Sequence, residues 1–350
     1  MFNNQIPVFI YQWYELNKRD LPWRETTDPY QIWVSEIILQ QTKVVQGLGY
    51  YYRFLDLFPS VQELANASMD DVLKAWQGLG YYSRARNMYQ AAKLIVEEFK
   101  GEFPNTYKEV ISLPGIGEYT AAAICSFAYN QPYAVVDGNV FRVLSRIFGI
   151  NTPIDTSKGK LEFQALATSL INQRSPALHN QAMMEFGALQ CVPQSPDCHV
   201  CKINTVCSAF LNNQVSSLPV KGKKSKIRAR YFNYLVIKVG VSTFLQKRES
   251  DDVWKGLYEF PLIESTNNLV VESLMIESEF KLIFSDSTIK YINPHPTVFK
   301  HVLSHQVIFA KFWEIDLNKF HLSNRLRVNW NEIHLFPTSK LIENYLNSRT

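Results

Sequence analysis

The 350-residue sequence contains no run of the roughly 18 consecutive apolar residues that a membrane-crossing helix needs. Its opening stretch, MFNNQIPVFIYQWYELNKRD, has no basic segment ahead of its apolar part, so it reads as an amphipathic helix and not as a secretion signal. Cysteine is scarce: there are five, and four of them fall within 17 positions, which is not the pattern of a secreted disulfide framework. The fifth, Cys125, stands alone on an alanine-rich helix and reads as a small buried hydrophobe. A cytoplasmic location is the expectation these absences leave. There is no internal repeat and no low-complexity tract, and a strong excess of one charge sign is also missing, the net charge being +4.

The composition is that of an ordinary globular protein, with 46% apolar and 19% charged residues, so long disorder is excluded. At about 150 residues per domain, the length allows two or three domains. Up to about residue 210 the chain reads as helices joined by short turns. Trp33, Val34, Ile37, Ile38, Val44 and Val45 form one helical stripe. Residues 216–230 shift to Ser, Pro, Gly and Lys, as a linker does. Six of them are basic (Lys221, Lys223, Lys224, Lys226, Arg228 and Arg230), which suits either a solvated linker or a strap on phosphates. Beyond it, residues 231–239, 242–248 and 307–315 are strand-like, and residues 268–279 and 340–346 are helix-like. The expected fold is multidomain. An all-α domain spans 1–215, a basic linker 216–229, and an α+β domain 230–350.

Cys191, Cys198, Cys201 and Cys207 are spaced C-x6-C-x2-C-x5-C. Four thiols in so short a span bind a metal or a cluster. Structural zinc often uses two C-x2-C pairs, and only one is present, so one compact loop around an iron–sulfur cubane fits better than zinc. Met183, Met184, Phe186 and Leu189 are the expected apolar shell. Four cysteine ligands leave no open position, so the site is structural or electron-transferring.

Residues 113–117 read LPGIG and precede a helix over 118–129. Gly115 and Gly117 allow a tight turn and a close approach by another molecule. Amides at the following helix N-terminus then favour a phosphate oxygen. The pattern is a helix-hairpin-helix signature for DNA-backbone binding; the competing reading is an ordinary turn between helices.

Two acids sit in unusual company. Glu36 lies in WVSEIILQQT, beside the apolar stripe. Asp137 lies in VVDGNV, just before a helix. By spacing alone they read as a solvent-facing glutamate and a helix N-cap. Hydrolysis of an N-glycosidic bond gives both a role. The departing base needs a proton, and the sugar needs a negative charge near it as oxocarbenium character develops.

The segments LPWR, WVSEIILQQT, GLGYYSRARN, LPGIGEYTAAAI and VVDGNVFRVLSR, with the cysteine quartet, together resemble the A/G-specific (MutY-type) adenine DNA glycosylases. These belong to the helix-hairpin-helix superfamily that carries a 4Fe–4S cluster. The resemblance is dense over residues 10–215 and looser beyond. It implies a nucleoid-associated monomer in base excision repair that removes adenine paired with 8-oxoguanine or guanine in duplex DNA. By the same resemblance, Glu36 is the general acid that also activates water, and Asp137 stabilises the oxocarbenium ion or a covalent intermediate. Asn139 and Tyr119 support them. Gln41 and Tyr81 enter the duplex near the oxidised guanine. Trp23, Arg24, Leu39 and Glu185 line the adenine pocket. Endonuclease III-type enzymes carry a Schiff-base lysine where this chain has Tyr119, and a phenol forms no imine.

Residues 254–261, WKGLYEFP, resemble the entry of a Nudix fold. The stretch that follows lacks the R-E-x-x-E-E core, so pyrophosphate hydrolysis is not expected. Residues 301–305 read HVLSH, and the resemblance assigns Leu303, Ser304 and His305 to reading the oxidised guanine, where the family pattern is F-S-H. Leucine at the first position puts the aromatic contact in doubt. The alternative activities are an endonuclease III-like glycosylase/lyase for oxidised pyrimidines, an inactive lesion binder, and a nucleotide-pool hydrolase.

Overall fold

The computed structural model describes residues 5–222, 227–285, 287–318, 320 and 325–349. Lys223, Lys224 and Lys226 of the basic run therefore lie outside the described residues. The helices are α1 (Gln5–Asn17), α2 (Pro29–Leu39), α3 (Val44–Leu57), α4 (Val61–Asn66), α5 (Met69–Ala75), α6 (Ser83–Glu98), α7 (Tyr107–Ser112), α8 (Glu118–Tyr129), α9 (Gly138–Phe148), α10 (Ser157–Leu170), α11 (Pro176–Leu189) and α12 (Ser208–Leu211). After these come the strands β1 (Arg228–Lys238), β2 (Ser242–Lys247), β3 (Tyr258–Glu259) and β4 (Leu262–Ser265). The chain continues through α13 (Val271–Ile276), α14 (Ser278–Phe284), β5 (Ile289–Pro294), β6 (Phe299–Val302), β7 (Gln306–Leu317), β8 (Leu326–Asn329) and α15 (Lys340–Asn347).

Two compact units form, and neither is continuous in sequence. One joins Met1–Ala65 to Gln90–Lys223, and the other joins Asn66–Tyr89 to Lys224–Thr350. A boundary drawn along the chain at residue 215 puts residues 66–89 with the helical domain. By contacts they go with the strands. Tyr258 shows why, because its hydroxyl donates to Asp70 Oδ2 at 2.9 Å.

The first unit is all helical. α9 buries Val140, Val143, Leu144 and Ile147, a spacing of three and four that makes one apolar face. They pack with Ile10 and Tyr14 of α1, Phe163 of α10, and Met183 and Phe186 of α11. α2 starts at Asp28, whose side chain accepts from the Tyr30 amide, with Pro29 at the first helical position. The single stripe expected over residues 33–45 is instead two helices. Gln41 adopts a left-handed φ of 57°, which ends α2, and Val45 on α3 is 92% exposed.

The second unit carries two sheets. In the larger, the order is β4-β1-β7-β5, with β6 also pairing with β7. β1 and β7 are parallel, and β4, β5 and β6 run antiparallel to their neighbours. The smaller sheet has the order β3-β2-β8. Leu235 and Ile237 of β1, Trp313 and Ile315 of β7, and Phe280 of α14 share one core. The basic run ends inside β1, not in a strap. Arg230 is 8% exposed and pairs with Asp252 and Glu264, so its charge is already neutralised.

Candidate active site

α2 buries every residue from Ile32 to Ile38, Glu36 included. A helix buried all round offers no solvent face, which removes the surface reading of Glu36. The residue is 6% exposed, and its Oε2 accepts a hydrogen bond from the Tyr119 hydroxyl at 2.7 Å. Burial pushes Glu36 up to about 7. The Tyr119 bond opposes this, and the nearby Asp137 charge adds to it. Tyr119, in the first turn of α8, is raised well above the ordinary range by its own burial, so it stays a donor.

Asp137 is the N-cap of α9. Its Oδ1 accepts from the amides of Asn139 at 2.9 Å and Val140 at 2.8 Å, and its Oδ2 from Asn139 Nδ2 at 2.7 Å. The capping and catalytic readings are therefore compatible, since the cap fixes the carboxylate at the cleft. Burial raises the Asp137 carboxyl, and the donors from Val140 and Asn139 oppose that rise.

The residues that the resemblance assigns to catalysis and to the adenine pocket, and Gln41 with them, line one cleft of about 390 Å³. They are Glu36, Tyr119, Asp137 and Asn139, then Trp23, Arg24, Leu39 and Glu185, and Gln41. Glu185 is 1% exposed. Arg24 donates to its two oxygens at 3.0 and 2.7 Å. Arg19 donates three more bonds, from its amide, Nε and Nη2. Burial alone would raise Glu185, but the arginine bonds overcome it and bring it down to about 2. Arg19 was missed in the sequence. It stands two residues before the LPWR segment, and only the Glu185 contact across 166 positions shows its role.

Outside the cleft, the hairpin glycines are both exposed. Gly115 has φ 78°, which favours glycine. Gly117 caps α8 with φ −97°, and a Cβ built there meets nothing within 4 Å. The fold itself would therefore accept a side chain at Gly117.

The four cysteines line one cavity together with Arg146, Ile147, Phe186, Ile203 and Phe210. Each of Cys198, Cys201 and Cys207 is pushed up, first by burial and then by the neighbouring thiolates. Among the described residues no three His, Cys, Asp or Glu side chains converge to hold a single metal ion. Four thiols lining one cavity are a donor set of the kind that holds zinc or an iron–sulfur cluster. The expected apolar shell needs correction. Phe186 lines the cavity. Met184, two positions earlier on α11 and so on another face, lines the catalytic cleft. Met183 is in the helical core, and Leu189 is 41% exposed.

In the second unit, Leu303, Ser304 and His305 form the turn from β6 to β7, closed by the Leu303 amide on Gln306 O at 2.8 Å. They share a cavity of about 610 Å³ with Tyr81 and Trp254. Tyr81 (φ 47°) and Trp254 (φ 64°) both adopt left-handed backbones, a strain that concentrates at functional sites. Trp254 lies 5.3 Å edge-on from His301. The acids near the Nudix-like segment are taken up by arginines: Glu259 pairs with Arg248, and Glu264 with Arg230.

Comparison with known proteins agrees with both halves of this description. The family described as HhH-GPD superfamily base excision DNA repair protein matches residues 34–168. A NUDIX domain matches residues 233–348. The adenine DNA glycosylase of Buchnera aphidicola subsp. Baizongia pistaciae is 35% identical over 301 residues, covering 81% of this chain and 84% of that protein. The Mus musculus adenine DNA glycosylase is 41% identical over 222 residues, covering 60% of this chain and 43% of the other. A thermostable thymine-DNA glycosylase structure superposes with a TM-score of 0.56 at 27% identity, over 60% of this chain and 97% of its own. An endonuclease III–DNA complex superposes at 0.53 over 60% of this chain and 98% of its own; at 21% identity it shows the shared fold alone. A relative 35% identical across 84% of its own length, with a base-excision repair model over residues 34–168 and a NUDIX model over 233–348, shows that the chain belongs to the adenine DNA glycosylase family.

Proposed function

We propose that this enzyme hydrolyses the N-glycosidic bond of adenine mispaired with 8-oxoguanine or guanine in duplex DNA, without cutting the strand. The observation that carries the reading is Glu36. It is a buried acid poised near neutral pH, in one cleft with Asp137.

The adenosine must leave the stack before its glycosidic bond reaches the cleft. Protonated Glu36 gives its proton to a ring nitrogen of the base. The bonding pair of the C1′–N bond goes to the base, which departs neutral. The carboxylate of Asp137, held by Asn139 and Val140, faces the positive charge left on the sugar. Ionised Glu36 then takes a proton from the water that adds to C1′, which regenerates the acid. Tyr119 keeps Glu36 in position throughout. No lysine lines the cleft among the described residues, which favours simple hydrolysis over the endonuclease III-like lyase route.

The cysteine quartet suits a 4Fe–4S cluster held by Cys191, Cys198, Cys201 and Cys207. When bound, it braces the loop after α11 and supplies no step of the hydrolysis. The cavity of Leu303, Ser304, His305 and Tyr81 suits the base opposite adenine, with Trp254 offering an aromatic surface that Leu303 lacks. Gln41, exposed on its left-handed turn, suits insertion into the duplex.

The test uses duplexes bearing A opposite 8-oxoguanine, A opposite G, and thymine glycol opposite A. Products are compared with and without hot alkali. Adenine release whose strand break appears only after alkali is expected. No release from the first duplex would overturn the reading, and breaks without alkali would favour the lyase.

A further inference from the structure

α9, capped by Asp137, ends beside the cysteine cavity, and it carries two buried arginines one turn apart, Arg142 and Arg146. Arg146 is 2% exposed. Its Nε donates to Leu218 O at 3.1 Å, Nη1 to Val192 O at 2.8 Å and Nη2 to Pro193 O at 3.0 Å. Nη1 also donates to Cys191 Sγ at 3.4 Å. The Arg146 carbonyl lies 3.5 Å from Cys207 Sγ. No carboxylate pairs with Arg146 among the described residues.

A guanidinium removed from water and given only carbonyls and a thiol is electrostatically uncompensated, and such burial is costly. The arrangement makes sense if negative charge forms in the adjoining cavity. Cysteines ligate as thiolates, and a cubane held by four of them is anionic overall. Its potential responds to net charge, to hydrogen bonds on the sulfurs and to exposure, and Arg146 acts on all three. We propose that Arg146 is the internal counter-charge and N–H···S donor of the cluster, a positioning residue that sets both its reduction potential and its retention. This rests on the cluster reading above.

The test uses the full-length protein purified without oxygen, as wild type, Arg146→Gln and Arg146→Lys. Three quantities are read: iron and sulfide content, the midpoint potential by voltammetry, and the rate of iron loss to a chelator. A positive charge favours the reduced, more negative cluster. Arg146→Gln is therefore expected to shift the potential to more negative values and to lose iron about tenfold faster, the scale of an outer-shell change. Arg146→Lys keeps the charge and loses the fork, so it is expected to shift the potential less while still losing iron faster. Should the glutamine variant not fold, the lysine variant decides. A loaded variant with wild-type potential and wild-type iron loss overturns the proposal while leaving the cluster reading intact. A wild-type protein that takes up zinc and no iron and sulfide overturns the cluster reading itself, and the proposal with it.

Discussion

Tyr119 donates its hydroxyl to Glu36 Oε2 at 2.7 Å, and this bond works against the burial that makes Glu36 an acid. Burial favours the neutral carboxyl, whereas a donor favours the carboxylate. Burial prevails, and Glu36 sits at about 7 instead of the ordinary 4.5.

Excision therefore depends on protonated Glu36 and is expected to decline as pH rises through about 7. Single-turnover rates on A:8-oxoguanine duplexes from pH 5.5 to 9 measure this. A rate unchanged across that range would remove Glu36 as the proton donor. Glu36→Gln is expected to lower excision by at least about a thousandfold while sparing duplex binding.

The same shift acts on stability. A carboxyl raised in the folded state favours folding most below its unfolded value of 4.5, and that contribution disappears as pH rises through about 7. At pH 8 the buried charge costs about 3 kcal/mol by linkage. Glu36→Gln is expected to melt higher than wild type at pH 8, with the gap closing by pH 5. Equal melting differences at both values would show that Glu36 ionises freely.

Tyr119→Phe removes the donor. The alkaline limb of the excision profile should move to higher pH, because the carboxylate loses support. The maximum rate should fall by about tenfold, the scale of one lost bond to a charged group. A fall in rate with no shift of the limb would confine Tyr119 to shaping the cleft.

The two hairpin glycines should separate. Gly117→Ala meets open space, so its melting temperature should match wild type while DNA affinity falls. Gly115→Ala forces a side chain to φ 78° and should cost about 1 kcal/mol as well as affinity. Undiminished DNA binding by both would leave the hairpin as an ordinary turn.

Ser304→Ala with His305→Ala should reduce the preference for 8-oxoguanine over guanine by about tenfold, the discrimination that polar contacts to one base provide. Excision from A:G duplexes serves as the control. An unchanged ratio would remove the β6–β7 turn from recognition.

Much of this was legible in the sequence. The cysteine spacing and the LPGIG turn are local patterns whose chemistry follows from residue type, whereas the two acids read by spacing alone as a surface glutamate and a helix N-cap and drew their roles from the family resemblance. Glu36 was half legible: the stripe placed it beside apolar residues, but the helix is buried on every side. Arg19 was not legible, because an arginine two residues before a motif looks like any surface arginine. Its meaning comes from Glu185. The stripe from 33 to 45 misled for the opposite reason. Apolar spacing persisted across Gln41, where a left-handed turn had ended the helix.

The sequence by itself determined most of the elements and the donors: helices by apolar spacing and caps, strands by branched and aromatic alternation, and a candidate metal loop by four thiols in 17 positions. Tertiary structure decided which charges are compensated and by what. Glu36 is an acid because its helix is enclosed. Glu185 stays a carboxylate because two arginines meet it, and Arg146 is buried facing thiols instead of a carboxylate. It also decided that residues 66–89 pack with strands that begin 139 positions beyond their last residue. Ionisation depends on distance and on exclusion of water, and sequence order specifies neither between residues far apart in the chain.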